Sequence, residues 1–242
     1  MLTTNVIGST HNANQDFLIH GEKYGIVADG CSGCAYSEVG TRFVLQLYNM
    51  LPDKADPNKF EKNVNKVIND VVAMLKSFGH SEDVKNISNT FIANNMLFTL
   101  LACFETEDKY IVFTLGDGYI ITRNMFGEFS FTHIDYDNQP PYICYNYMED
   151  STTGRTPETI IPFKVFEYPK EYFIGVGVAS DGIAPVVESL GTLTSADRFK
   201  FESILSDVKK LGRKQNTVLK NFISKLHKMD FADDTTLVFL GG

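Results

Sequence analysis

Short apolar runs bounded by turn residues dominate the chain, and blocks of helical spacing interrupt them. Residues 2–10 are a short apolar-polar mix ending near Gly8 and read as an edge strand. The polar cluster His11-Asn12-Ala13-Asn14-Gln15-Asp16 leads into Phe17-Leu18-Ile19, and after the turn at His20–Lys23 the apolar run 24–28 returns. Together these predict a hairpin whose second strand is buried. Ser37 followed by Phe43, Val44, Leu47 and Leu51 predicts a helix capped by Ser37. Beyond a loop at 52–57, Phe60, Val64, Val67, Ile68, Val71, Val72 and Leu75 form the clearest amphipathic stripe, stopped at Gly79. Residues 91–104, 110–115, 119–122 and 129–133 are rich in aromatic and β-branched positions and predict an antiparallel meander. Residues 135–162 carry four prolines and read as a surface excursion. Residues 173–179 form another buried strand. Phe201, Ile204, Leu205, Val208 and Leu211 predict a third helix, and Val218, Leu219, Phe222, Ile223, Leu226 and Met229 a fourth. A last strand follows Asp233-Asp234 at 235–240.

Composition narrows the class. The chain has 242 residues, within range for one large domain, and its 43% hydrophobic content is ample for a core. A net charge of −8 argues against a nucleic-acid binder, which needs a basic face. No apolar run reaches the roughly 20 residues of a membrane helix, and the first residues show no basic and apolar leader pattern. Four cysteines without such a leader suggest a reducing, cytoplasmic setting.

The chemistry lies where strands end. The run Tyr24-Gly25-Ile26-Val27-Ala28 stops abruptly at Asp29-Gly30, and a buried acid needs a partner, either a cation or a capped helix. Asp117-Gly118, Asp181-Gly182 and Asp233-Asp234 repeat the pattern at three further strand ends, with Asp16 near Asp29. Any single Asp-Gly pair is explained by turn chemistry. Five acids at strand ends are not, because gathered carboxylates repel one another unless a cation neutralises them. Oxygen-only donors suit Mg²⁺ or Mn²⁺ better than zinc.

Gly8-x-x-His11-x-x-Asn14-Gln15-Asp16, Ala28-Asp29-Gly30-x-x-Gly33, Leu115-Gly116-Asp117, Ala179-Ser180-Asp181-Gly182 and Asp233-Asp234-x-Thr236 stand in the order and approximate spacing of the metal-dependent type 2C protein phosphatases, the PPM family. The chain resembles the bacterial branch of that family over nearly its whole length. The resemblance implies an α+β fold, a four-layer αββα sandwich of two antiparallel sheets flanked by helix pairs, as a single domain over residues 1–242. It implies two Mn²⁺ or Mg²⁺ ions and a third, weaker site. Asp29 would bridge two ions, the Gly30 carbonyl would ligate one, Asp181 and Asp233 would hold the other, and Asp117 with Asp181 would form the third site. Asp16 would orient metal-bound water, and His11 would stand where many members grip phosphate with Arg. The implied activity is hydrolysis of phosphoserine and phosphothreonine on proteins, by a bridging hydroxide attacking phosphorus in line. The implied partners are a phosphoprotein substrate and a Ser/Thr kinase that phosphorylates it. Residues 135–162 fall where members carry a variable flap beside the active site.

Three departures from the family pattern stand out: His11 for Arg, neutral Gln15 for a common Glu, and Cys31 for the His that often follows the Asp-Gly pair. The last leaves the proton donor open, with water as one candidate. Two rival readings follow: a pseudophosphatase serving as a regulatory module, and a phosphatase of small phosphoesters. Cys31-x-x-Cys34 also invites a redox or zinc reading, but Cys103 and Cys144 are not spaced as a second ligand pair.

Overall fold

The computed structural model describes residues 1–77, 90–137, 139–148, 161–189, 195–206, 213–227 and 233–241. Among the described residues ten strands form, in chain order: β1 (Leu2–Val6), β2 (Phe17–His20), β3 (Tyr24–Gly30), β4 (Phe98–Glu105), β5 (Lys109–Leu115), β6 (Gly118–Asn124), β7 (Phe129–Ile134), β8 (Lys164–Pro169), β9 (Phe173–Ala179) and β10 (Thr235–Gly241). They make two five-stranded antiparallel sheets, one ordered β2-β3-β4-β5-β8 and the other β1-β10-β9-β6-β7. The helices are α1 (Ser37–Asn49), α2 (Phe60–Ser77), α3 (90–95), α4 (Ala184–Ser189), α5 (Ser195–Ser206) and α6 (Arg213–His227).

The layering explains why the central strands read as unbroken apolar runs. Alternate residues of a strand face opposite sides, and here both sides are covered. Ile26 and Ala28 of β3, with Leu100, Ala102 and Phe104 of β4, pack under α1 and α2. Val27, Leu101 and Cys103 point the other way, into a layer between the sheets shared with Val176, Val178, Val238 and Leu240. On the far side Leu237 and Phe239 pack against Phe201, Leu205, Leu219 and Ile223 of α5 and α6. Helices, sheet, sheet and helices follow one another, so the fold is the four-layer α+β sandwich expected.

Several local expectations change. Ser37 does not cap α1. The cap position is Tyr36, which makes no side-chain capping bond, and Ser37 is the buried first residue of the helix. Residues 91–104 are not one strand. Ile92 and Met96 are both buried, at helical spacing, and the Met96 amide bonds to the Ile92 carbonyl, so β4 begins only at Phe98. The meander is split between the sheets: β5 pairs with β4, whereas β6 pairs with β7 and β9. The chain crosses at Gly116 and Gly118, whose φ angles of 101° and 136° suit glycine and turn the backbone out of one sheet and into the other. The excursion after residue 134 is not all surface. A short 3-10 turn at Ile143–Tyr147 buries Ile143 and Cys144 against the core under α1 and α2. The strand β8 and the short helix α4 carry little periodicity and are not foreseen. Gly79, Val208, Leu211, Met229 and residues 149–160 lie outside the described residues.

Phe60 closes the core under α1 and α2. It is fully buried, and its ring meets those of Tyr48, Phe104, Phe113 and Phe163 at centroid distances of 5.9, 5.3, 4.8 and 5.2 Å. Phe60→Ala is expected to lower stability by about 3–5 kcal/mol, measured as a lower urea midpoint at unchanged slope.

Candidate metal centre

Antiparallel neighbours run in opposite directions, so one strand's end lies beside another's start. The end of β3 sits beside the start of β4, and the end of β9 beside the start of β10. Asp29 is the penultimate residue of β3, Asp117 sits in the crossover between β5 and β6, Asp181 follows β9, and Asp233 precedes β10. The fold brings all four to one edge, where they line an open cavity of about 240 Å³ with Gly30, Cys31, Ser32, Gly33, Thr99, Pro140 and Tyr142. None of these lining residues is a lysine or an arginine. Gly182 is required beside Asp181, since a Cβ there would lie 1.8 Å from the Asp234 carbonyl oxygen.

Asp16 lies behind this wall, 1% exposed. One carboxyl oxygen accepts a hydrogen bond from Ser180 Oγ at 2.7 Å, and Ser180 Oγ in turn accepts one from the Thr236 amide at 2.8 Å. The Asp16 carboxyl also abuts that of Asp29. Two carboxyls can share a hydrogen bond only while one holds a proton, and Asp16 Oδ1 finds no other donor among the described residues. The titrations record this crowding. Burial pushes Asp16 up to about 7, against the pull of Ser180. Asp29 is raised well above the carboxylate range by burial first, then by the charges of Asp16 and Asp181. Burial and the charge of Asp181 lift Asp117 to about 6, and the same two causes raise Asp233.

Such a donor set fits a hard divalent cation. The carboxylates and the Gly30 carbonyl are oxygen donors, as Mg²⁺ and Mn²⁺ prefer. Thr99 Oγ1, on the cavity wall, is buried without a hydrogen-bond partner. A positive ion offsets the burial and like charge that raise these acids.

His11 is placed differently from the other expected residues. It does not line the cavity. Its Nδ1 lies 3.0 Å from Asp234 and its Nε2 3.7 Å from Asp233, and one ligand atom from each of the three lies within 4.8 Å of the others. Asp234 is itself 2% exposed, and its two oxygens accept the Gly8 amide at 2.7 Å and the Gln15 amide at 2.6 Å. It therefore clamps the loop that carries His11 and Asp16 onto the start of β10, while Asp233 beside it faces the cavity. Sequence reasoning gave no role to Asp234, Ser180 or Tyr142. The signal for the first two was present, as neighbours of acids inside the motifs.

Cys31 opens onto the cavity. Its thiol is pulled down to about 5, chiefly by a hydrogen bond from the Cys34 thiol and further by the Tyr142 hydroxyl, against the opposing cost of burial. All four cysteines are free.

With this geometry in place the chain can be set beside known proteins. A family model described as protein phosphatase 2C matches residues 9–224. The chain belongs to the protein phosphatase 2C family, a class of protein-serine/threonine phosphatases. No curated protein sequence matches it. Among solved structures, the serine/threonine phosphatase Stp1 from Staphylococcus aureus is 14% identical with a TM-score of 0.58, and the match covers 100% of this chain and 95% of that one. The Mycobacterium tuberculosis serine/threonine phosphatase PstP/Ppp is 15% identical with a TM-score of 0.58, covering 99% and 97%. The S. agalactiae serine/threonine phosphatase is 16% identical with a TM-score of 0.60, covering 100% and 98%. At these identities the likeness is one of fold.

The raised carboxyls make a pH prediction. A group whose folded pKa exceeds its unfolded value contributes stability that is present below the unfolded pKa and is lost as pH rises through the folded one. Without metal, the melting temperature is expected to fall as pH rises from 3.8 towards about 7, the span set by Asp117 and Asp16. Excess Mg²⁺ or Mn²⁺ at neutral pH is expected to restore it, as calorimetry with and without chelator would measure.

Proposed function

We propose that the chain removes phosphate from phosphoserine and phosphothreonine of proteins, using Mn²⁺ or Mg²⁺ ions held by the strand-end acids. The observation that supports this most is the convergence of Asp29, Asp117, Asp181 and Asp233 on one open cavity, with no lysine or arginine among its described lining residues. Asp29, the Gly30 carbonyl, Asp181 and Asp233 would hold the ions, and Asp117 with Asp181 would hold a further one. Bound divalent ions supply Lewis acidity, which lowers the pKa of water and offsets charge on phosphoryl oxygens.

The chain's own side chains do the positioning. Asp16, anchored by Ser180, holds the Asp29 carboxyl from behind. Asp234 pins the loop that carries His11 and Asp16 by binding the Gly8 and Gln15 amides. His11 then serves the site through Asp233 and Asp234. Pro140 and Tyr142 wall the cavity, so the 135–162 segment helps choose the substrate as a flap within one domain over 1–242. The free cysteines fit a cytoplasmic enzyme, paired with a Ser/Thr kinase. The intact acid set argues against a pseudophosphatase, which has no need to maintain mutual repulsion.

The test is hydrolysis of an aryl phosphate, a phosphothreonine peptide panel and small phosphoesters, each with and without Mn²⁺ or Mg²⁺. Activity is expected only with metal and to favour the peptides. Asp29→Ala and Asp181→Ala are each expected to lower it by more than about a hundredfold, the upper cost of losing even an outer partner of a metal site. Full activity in excess chelator overturns the proposal. Ser180→Ala, which frees Asp16, is expected to lower kcat about tenfold at little change in KM.

A further inference from the structure

The pair Cys31 and Cys34 plays no part in the chemistry above, yet it is built as a dithiol. The Cys34 amide bonds to the Cys31 carbonyl at 3.0 Å, closing a tight turn. Such a turn keeps its first and last Cα atoms within about 7 Å, near the separation that a disulfide requires. The two side chains stand close enough for each to perturb the other. The turn is anchored from outside: the Cys31 amide bonds to the Leu97 carbonyl at 2.9 Å, and Cys34 Sγ lies 3.3 Å from the Ala93 carbonyl oxygen. Both residues are only partly buried, and Cys31 lines the open cavity, so a small oxidant can reach it. Cys103 and Cys144 are buried, at 0% and 1% exposure. The pair stands in the turn between the end of β3 and the start of α1.

We propose that Cys31 and Cys34 are a modification site for hydrogen peroxide, which converts them to a reversible disulfide at the rim of the acid cavity. The Cys31 sulfur attacks one peroxide oxygen. The O–O bond breaks, the other oxygen leaves as water with the thiol's proton, and Cys31 becomes a sulfenic acid. The Cys34 sulfur then attacks the Cys31 sulfur. The S–O bond breaks, a second water leaves with the Cys34 proton, and the S–S bond forms. Two thiols are oxidised by two electrons and one peroxide is reduced to two waters. Forming the bond draws the Cys31 sulfur away from the Tyr142 hydroxyl and stiffens the turn that begins one residue after Gly30. The wall shared by Asp29, Gly30 and Tyr142 is altered, and activity falls. This last consequence rests on the proposed function. The chemistry of the pair does not.

The test is peroxide treatment of the whole chain, quenching with catalase, and alkylation with N-ethylmaleimide under denaturing conditions. Four adducts are expected on the reduced chain and two after oxidation, matching its four cysteines. A Cys31–Cys34 linked peptide, lighter by the two thiol hydrogens, is expected by mass spectrometry and is expected to disappear on dithiothreitol treatment. In Cys34→Ser the oxidation is expected to stop at a Cys31 sulfenic acid that dimedone traps. Mn²⁺-dependent hydrolysis of an aryl phosphate by the oxidised wild type is expected to drop about tenfold or more, since small misplacements at a site carry such costs, and to recover with dithiothreitol. Four adducts after peroxide, a Cys34–Cys144 link, or oxidation of Cys31 beyond the sulfenic acid without a disulfide overturns the proposal. A disulfide that forms with no loss of activity overturns the regulatory consequence. Absence of any phosphatase activity in the reduced protein counts against the proposed function and leaves the adduct count to judge the pair.

Discussion

Repulsion among buried carboxylates is the constraint on which the rest depends. Asp16, Asp29, Asp117, Asp181 and Asp233 gather at one edge, and burial with like charge makes Asp16, Asp29, Asp117 and Asp233 hold their protons more tightly than usual. A fold that gathers such groups must hold them from outside, since they do not attract one another. Two devices are visible. Asp234, saturated by two backbone amides, fastens the loop before β2 to the start of β10. Ser180 does the same on a smaller scale, linking Asp16 to the backbone of Thr236. The cost of the cluster is carried by a backbone that is paired almost throughout its two sheets.

Much of this was legible in the chain because strand ends announce themselves. An apolar run that stops at Asp-Gly carries two messages at once, the boundary of a buried strand and an acid placed there, and Asp29 and Asp181 were found on that signal. The edge strand and the hairpin followed from period and length, and the four-layer order from the family resemblance. What stayed hidden depends on partners far away in sequence. Ser37 has the composition of a helix cap, but the space beside Gly30 is filled by its side chain, so it is packed instead. Residues 91–96 have strand-like composition, and only the burial of Ile92 together with Met96 reveals a helical turn. Nothing local in Asp233-Asp234 tells which acid faces the cavity and which faces the Gly8 and Gln15 amides. That choice is made by a contact spanning almost the whole chain.

His11 illustrates how a motif position can keep its place and change its dealings. Where the family resemblance puts a phosphate-gripping arginine, the imidazole stands against Asp233 and Asp234. Cys31 differs in the opposite sense. It stands on the cavity wall, where a proton donor is often found, and its neighbours are another thiol and a phenol. The two departures leave the acid framework intact and alter what surrounds it.

The chain's crossing between sheets at Gly116 has one more consequence. Asp29 belongs to one sheet, Asp181 and Asp233 to the other, and Asp117 to the strand-to-strand passage between them. Neither sheet alone carries a site, and the pieces come from opposite ends of the chain, so the cavity is assembled only when the two sheets close on each other. An ion held there would be a clasp across that seam, and its binding free energy would become cohesion between the halves. The strand-end acids thus tie the integrity of the cavity to the closing of the sandwich.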